Sequence, residues 1–331
     1  MNQRRITFAC ELKSGPLEQL FADQGLIRKL QELNARVSLG LLDLTPERAA
    51  VVRRLNESGV PVTAWLLLPE DEGYWFNLNN ASQAARRYGQ FKSWTTQYHL
   101  KWSSVGLDIE PDMREIKGLI KDRWNAIQVL LPKIFDTRRY HHGLIDYRSL
   151  VMQIHADGYS VESYQIPLIV DDRKVHSTLL QRLGGLVDIG ADCEVLMLYT
   201  SFMRGYGPGL LWQYACEAQA IGIGSTGGGV ELGSQIRPLD WEELERDLLL
   251  ANRFTDDLFI FSLEGCVRQG YLERIQQMDW QKPFNPPIPT SQRVGQIRKG
   301  LQTFLWLSSH LYWVSLAIIG LLWLFSGKRR R

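Results

Sequence analysis

Short apolar runs alternate with longer segments whose apolar residues recur every three or four positions, from the N-terminus to about residue 278. "RITFACEL" (5–12) predicts a strand, and "LEQLFADQGLIRKLQELN" (17–34) predicts helix. "RVSLGLLDL" (36–44) is a second strand. The helix after it opens with Thr45 as N-cap and Pro46 at its first position, and Gly59 stops it. The same strand–helix order repeats from "VPVTAWLLLP" (60–69), "SSVGLDIEP" (103–111), "YSVESYQIP" (159–167), "CEVLMLYTS" (193–201), "IGIGSTGGG" (221–229) and "DDLFIFSLEG" (256–265). Eight such units fit the usual size of a (β/α)8 TIM barrel, an α/β fold of about 250 residues. A doubly wound open sheet is the alternative. No G-x-G-x-x-G follows the first strand, and "GSTGGG" lacks the Lys-Ser/Thr of a phosphate loop, so neither nucleotide motif supports it. Closure would pair residues 6–12 with 257–264, because "ITFAC" and "LFIF" are too apolar to stand as open edges.

The fourth strand carries Asp108, Glu110 and Asp112, alternating with Leu107, Ile109 and Pro111. Alternate residues of a strand share a face, so Leu107 and Ile109 suit the helix layer while the acids point into the barrel. Clustering raises the cost of ionising each acid, which is how a proton is kept available near neutral pH. Glu110 is then the candidate proton donor, Asp108 the residue that holds it or shares its proton, and Asp112 a residue of the rim. Other acids sit at C-terminal strand ends, where barrel active sites gather: Glu11, Asp43 and Glu264, with Glu162 inside strand five. Aromatic and sulfur-containing side chains accompany them: Trp65, Tyr74, Trp75, Met197, Tyr199 and Phe261. Carboxylates among aromatic rings fit a carbohydrate, whose ring faces stack on aromatics and whose hydroxyls donate to carboxylates. Glu11, Asp43, Trp65, Trp75, Met197, Phe261 and Glu264 are therefore the expected substrate contacts, with Tyr199 orienting the substrate beside the catalytic acids.

Gly106 and Asp108 within "VGLDIEPD", "MLY" at Met197–Tyr199 and "FIFSLEG" at Phe259–Gly265 together resemble three strands of the chitinase-like glycoside hydrolases. The resemblance implies a TIM barrel and hydrolysis of O-glycosyl bonds. Val105 stands for that family's first strand-four Asp, Asp112 for its catalytic Glu, and Phe261 for its strand-eight Trp. "IEP" at Ile109–Pro111 is also similar to the Asn-Glu-Pro acid/base motif of the large retaining-glycosidase clan, whose nucleophile would fall nearest Glu231. The alternatives are a catalytically silent carbohydrate-binding barrel, or a metal-dependent sugar isomerase or phosphodiesterase. The latter usually takes histidine ligands, and no histidine falls at a predicted strand end.

Composition adds little to this. Hydrophobic residues make up 45% and charged residues 22%, and the net charge of +2 gives no support to a nucleic-acid partner. Cys10, Cys193, Cys216 and Cys266 form no C-x-x-C pair, so no metal site and no cofactor is expected. The C-terminal end differs from the rest. After the Pro-rich "KPFNPPIPTS", Thr303–Phe325 carries no charged residue and approaches the ~20 residues that cross a bilayer, with "GKRRR" beyond it. The expected organisation is a barrel at 1–280, a linker at 281–300, a single-pass transmembrane helix at 301–327 and a basic tail at 328–331. The membrane lipid bilayer is thus an expected partner, and the missing leader favours a barrel on the cytoplasmic side.

Overall fold

The computed structural model describes residues 4–121, 130–229 and 237–310. Eight parallel strands close into one barrel: β1 (Arg5–Cys10), β2 (Arg36–Leu41), β3 (Val62–Leu66), β4 (Ser104–Ile109), β5 (Ser160–Gln165), β6 (Cys193–Met197), β7 (Ala220–Gly224) and β8 (Asp257–Phe261). Each pairs with its neighbours in sequence. The last pairing joins Arg5 to Asp257 and Ala9 to Phe261, so the two most apolar edges cover one another as expected. The predicted strands ran two to five residues too long at their C-terminal ends, where the chain turns toward the barrel mouth.

Strand alternation sorts the side chains into two cores. Phe8, Val37, Leu39, Val105, Leu107, Ile109, Ile221 and Ile260 are buried against the helices. Trp65, Tyr164, Val195, Ala220 and Phe259 fill the interior instead. The N-terminal end of that interior is polar. Glu162 there accepts from Arg36 Nη2 at 2.9 Å, Ser104 Oγ at 2.7 Å and Tyr164 Oη at 3.1 Å. Gly106 lets Tyr164 cross the barrel, since a Cβ on it would lie 2.7 Å from the Tyr164 hydroxyl oxygen.

The C-terminal expectation needs correction. No helix among the described residues is long and apolar enough to cross a membrane. The chain does not leave the barrel at the Pro-rich stretch. From Ile288 to Ser309 it forms one helix laid against the helix Gly207–Ala215, so closely that a Cβ on Gly209 would lie 2.5 Å from the Thr290 carbonyl carbon. Arg298 is buried in that contact. It pairs with Asp171 and Glu217, each at 2.9 Å, and lies 3.7 Å from the centre of the Tyr214 ring. Thr303–Ser309, the start of the predicted span, is the last part of this charged, docked helix; residues 311–325, like the tail 328–331, lie outside the described residues. The single-pass anchor, the bilayer as partner and the membrane localisation are withdrawn with it.

Candidate functional site

A cavity of about 340 Å³ opens at the C-terminal end of the strands. β4 supplies its acids. Leu107 and Ile109 are held in the helix layer, so Asp108 is turned inward and lies only 2% exposed. Glu110 follows on the same face, past the strand's end, and its backbone is held by the segment after β3. The Phe76 N–H donates to the Asp108 carbonyl at 2.9 Å, and the Glu110 N–H donates to the Phe76 carbonyl at 3.2 Å. Trp65 Nε1 donates to Asp108 Oδ2 at 3.1 Å, while Asp108 Oδ1 finds no protein donor among the described residues.

Burial first, then the nearby Glu110 and Glu11 carboxyls, push the Asp108 pKa well above the usual carboxylate range. Burial also raises Glu110, to about 7, against the opposing effect of its hydrogen bond with Asp108. The two carboxyls therefore share a proton near neutral pH, and Asp108 holds it more tightly. Glu11 lines the cavity just beyond β1 and accepts a hydrogen bond from the Tyr74 hydroxyl. Tyr74 takes a left-handed backbone conformation, φ 66°, to reach it, which costs a non-glycine residue about 1–2 kcal/mol.

The walls are aromatic and apolar. Trp65, Trp75, Met197, Tyr199 and Phe261 all line the cavity. Tyr199 stacks between Phe202 and Phe261, with centroid distances of 6.0 and 5.9 Å. It lies across Gly222 and Gly224 of β7, where a Cβ would come within 3.3 and 3.4 Å of its ring.

Three predicted contacts lie away from the cavity. Asp112 caps the helix that follows β4, accepting from the Arg114 N–H at 2.9 Å and from Arg114 Nη2 at 2.6 Å. Burial opposes its ionisation, but Arg114 holds its pKa below the usual range. Asp43 binds the fully buried Arg48 through Nε at 2.9 Å and Nη2 at 3.0 Å, and also accepts from Ser14 at 2.8 Å and Thr45 at 3.0 Å. Those bonds outweigh burial and lower its pKa to about 2. Glu264 sits in the first turn of the helix Leu263–Gln269, beneath Gly228, where burial raises its pKa. Glu231 lies outside the described residues.

Sequence reasoning missed part of the wall. Ile166, Pro167, Phe202 and Met203 come from loops and a short helical turn with no periodicity to mark them, and Leu210 comes from the helix Gly207–Ala215. Tyr164 had a signal: it follows Glu162 by two residues on the inward face of β5.

No protein-family model and no curated protein sequence matches this chain. Among solved structures it is similar to the PgaB (BpsB) glycoside hydrolase domain from Bordetella bronchiseptica, with a TM-score of 0.49 and 12% identity over 83% of this chain and 98% of that one. A GH18 chitinase from Pseudoalteromonas aurantia gives 0.47 and 10% identity, over 83% and 99%. An L-ribulose 3-epimerase gives 0.42 and 13% identity, over 92% and 96%. The chain is a divergent (β/α)8 barrel. The strand topology carries the fold, and the chitinase-like resemblance is taken no further than that fold. Among the described residues no three His, Cys, Asp or Glu side chains are grouped to hold a metal ion.

Proposed function

We propose that this barrel hydrolyses a glycosidic bond, with Glu110 as proton donor and Asp108 as the residue that sets its protonation. The observation that carries the reading is the coupled carboxyl pair on one face of β4, inside a cavity walled by Trp65, Trp75 and Tyr199. Glu110 gives its proton to the leaving oxygen as the C–O bond breaks. Positive charge developing on the sugar carbon is stabilised by the Glu11 carboxylate. Water then adds to that carbon, and its proton returns the pair to the starting state. Trp75 supports a sugar ring, and Tyr199 packs against it.

Turnover on a panel of oligosaccharides tests this, with Glu110→Gln, Asp108→Asn and Asp112→Asn compared and folding checked by circular dichroism. Loss of the proton donor should cost roughly 100-fold to 10,000-fold in rate. Asp112→Asn should leave the rate within threefold (about 0.7 kcal/mol), because the side chain is spent on Arg114. Since Glu110 must be protonated, kcat/KM should fall as pH rises through about 7. Full activity in Glu110→Gln would end the assignment. Binding without turnover on any sugar would make the acids acceptors for hydroxyls rather than catalysts.

A further inference from the structure

We infer that the site selects a sugar joined to an apolar aglycone, an alkyl or aryl group, over one joined to a further sugar. The inference rests on the hydrolase reading above and concerns the group that leaves.

The cavity has two unlike halves. Among the described residues its charged lining is confined to Glu11, Asp108 and Glu110, which belong to or directly follow β1 and β4. Hydrogen-bond donors lie with them. Trp75 lines the cavity from the segment after β3. Burial first, then the Asp108, Glu110 and Glu11 carboxyls, raise the Tyr199 pKa, so its hydroxyl stands among the acids. The proton shared by Asp108 and Glu110 is a further donor. The hydroxyls of one sugar ring therefore meet donors and acceptors together in this half.

The next strands around the barrel offer neither. Ile166 and Pro167 follow β5, Phe202 and Met203 follow β6, and Leu210 comes from the helix Gly207–Ala215. Their backbone is engaged locally. The Ile166, Pro167 and Met203 carbonyls accept from the Ile169, Val170 and Tyr206 N–H groups at 3.3, 3.1 and 2.8 Å. A second sugar laid on this wall would bury hydroxyls without partners, and each would cost free energy. An alkyl chain or an aromatic ring gains by leaving water there. The wall also continues out of the cavity. Phe202 is 54% and Met203 50% exposed, and Leu168 and Tyr206 are exposed beside the lining residues Pro167 and Gly207. Apolar side chains gathered in water at the edge of a site mark a surface that a ligand covers.

Glu110 stands where the halves meet, because β4 pairs directly with β5. A glycosidic oxygen beside it has the sugar toward β1–β4 and its other substituent toward β5 and β6. On cleavage the Glu110 proton passes to that oxygen and the C–O bond to the sugar carbon breaks. The aglycone leaves as an alcohol, and water supplies the new hydroxyl of the sugar.

Binding measured by calorimetry, apart from turnover, tests this. The probes are the methyl, hexyl and phenyl glycosides of glucose, galactose, mannose and N-acetylglucosamine, the disaccharides with the same terminal sugars, and hexanol. For at least one sugar the hexyl or phenyl glycoside should bind at least tenfold more tightly than both the methyl glycoside and the disaccharide. Joint replacement by Phe202→Ser and Met203→Ser, at two half-exposed positions, should bring that gain below threefold. Ile145→Ser, at an exposed position on the helix Thr137–Ala156, should keep it, as adsorption to any apolar surface would not. A smaller gain for every sugar on the unaltered protein, or a gain that persists in the double variant, overturns the inference. Disaccharides that bind without any such gain would leave the carbohydrate reading standing while this inference falls. Hexanol binding as tightly as every hexyl glycoside would overturn the carbohydrate reading and this inference together.

Discussion

Asp108 and Glu110 are two residues apart on one wall, yet they differ in depth. Asp108 lies at the floor, bonded to Trp65, while Glu110 reaches the cavity from past the strand's end. Burying such acids has a stability consequence with a definite sign. Glu110 titrates near 7 in the folded chain, against about 4.3 when unfolded. Below the unfolded value both states carry the proton and its contribution is complete. Between the two values only the folded state retains the proton, so stability falls as pH rises through that window. Glu110→Gln should therefore melt higher than the unaltered protein at pH 8, by roughly 2–8 °C for a shift of ~1–2 kcal/mol in a domain of this size, and the gain should vanish toward pH 4. Calorimetry across that range checks it; a gain that grows on acidification would contradict the assignment. Asp43 is the opposite case. By position it matches Glu11, since each lies just past the C-terminal end of its strand. What separates them is Arg48, five residues on and fully buried, which claims Asp43 with help from Ser14 and Thr45. Asp43→Ala should cost about 3–5 kcal/mol by stranding that guanidinium and leave the affinity for ligand unchanged, as paired denaturation and binding measurements would show.

At the scale of elements, the strands were legible because each carries a short β-rich run between turn residues, and closure followed from the apolar character of its two ends. The face of β4 that carries the acids was legible for the same reason: Leu107 and Ile109 can satisfy only the helix layer. The turn Thr200–Met203 was not legible, because a single 3₁₀ turn repeats nothing along the sequence, although Phe202 and Met203 form part of the wall. The glycine loop after β7 is a place of close approach. Gly227, Gly228 and Gly229 all have positive φ, and a Cβ on Gly228 would lie 2.4 Å from Glu264 Oε1 and 2.8 Å from Ser262 Oγ. Gly228→Ala should accordingly destabilise the fold by about 1–3 kcal/mol from backbone strain alone. Gly59→Ala offers a control, because its φ is also positive, 72°, but nothing lies within 4 Å of the added atom. A denaturation midpoint for Gly228→Ala above that of Gly59→Ala would show that crowding by Glu264 and Ser262 adds nothing.

At the scale of the whole molecule, the C-terminal helix is where the sequence misled. An average of hydropathy over residues 303–325 cannot register that the preceding turns already belong to a helix anchored by Arg298. That residue is 6% exposed and its partner Asp171 fully buried, with Gln302 Nε2 adding a bond to the same carboxylate at 2.7 Å. Removing one partner of such a pair leaves a buried charge uncompensated, so Asp171→Ala should cost about 3–5 kcal/mol. Increased hydrogen exchange of the amides in Ile288–Ser309, with the β-strand amides still protected, would locate the damage at this contact. The polar layer under the cavity has a different kind of consequence. Arg36, Ser104, Glu162 and Tyr164 close the barrel below Asp108, so a chain of sugars cannot be threaded through the barrel axis. Under the hydrolysis proposed above, whatever is formed at Glu110 must back out through the mouth by which its precursor arrived. Product and substrate then occupy the same volume in turn, and the released fragment that sits deepest should act as a competitive inhibitor whose rate of departure limits the cycle.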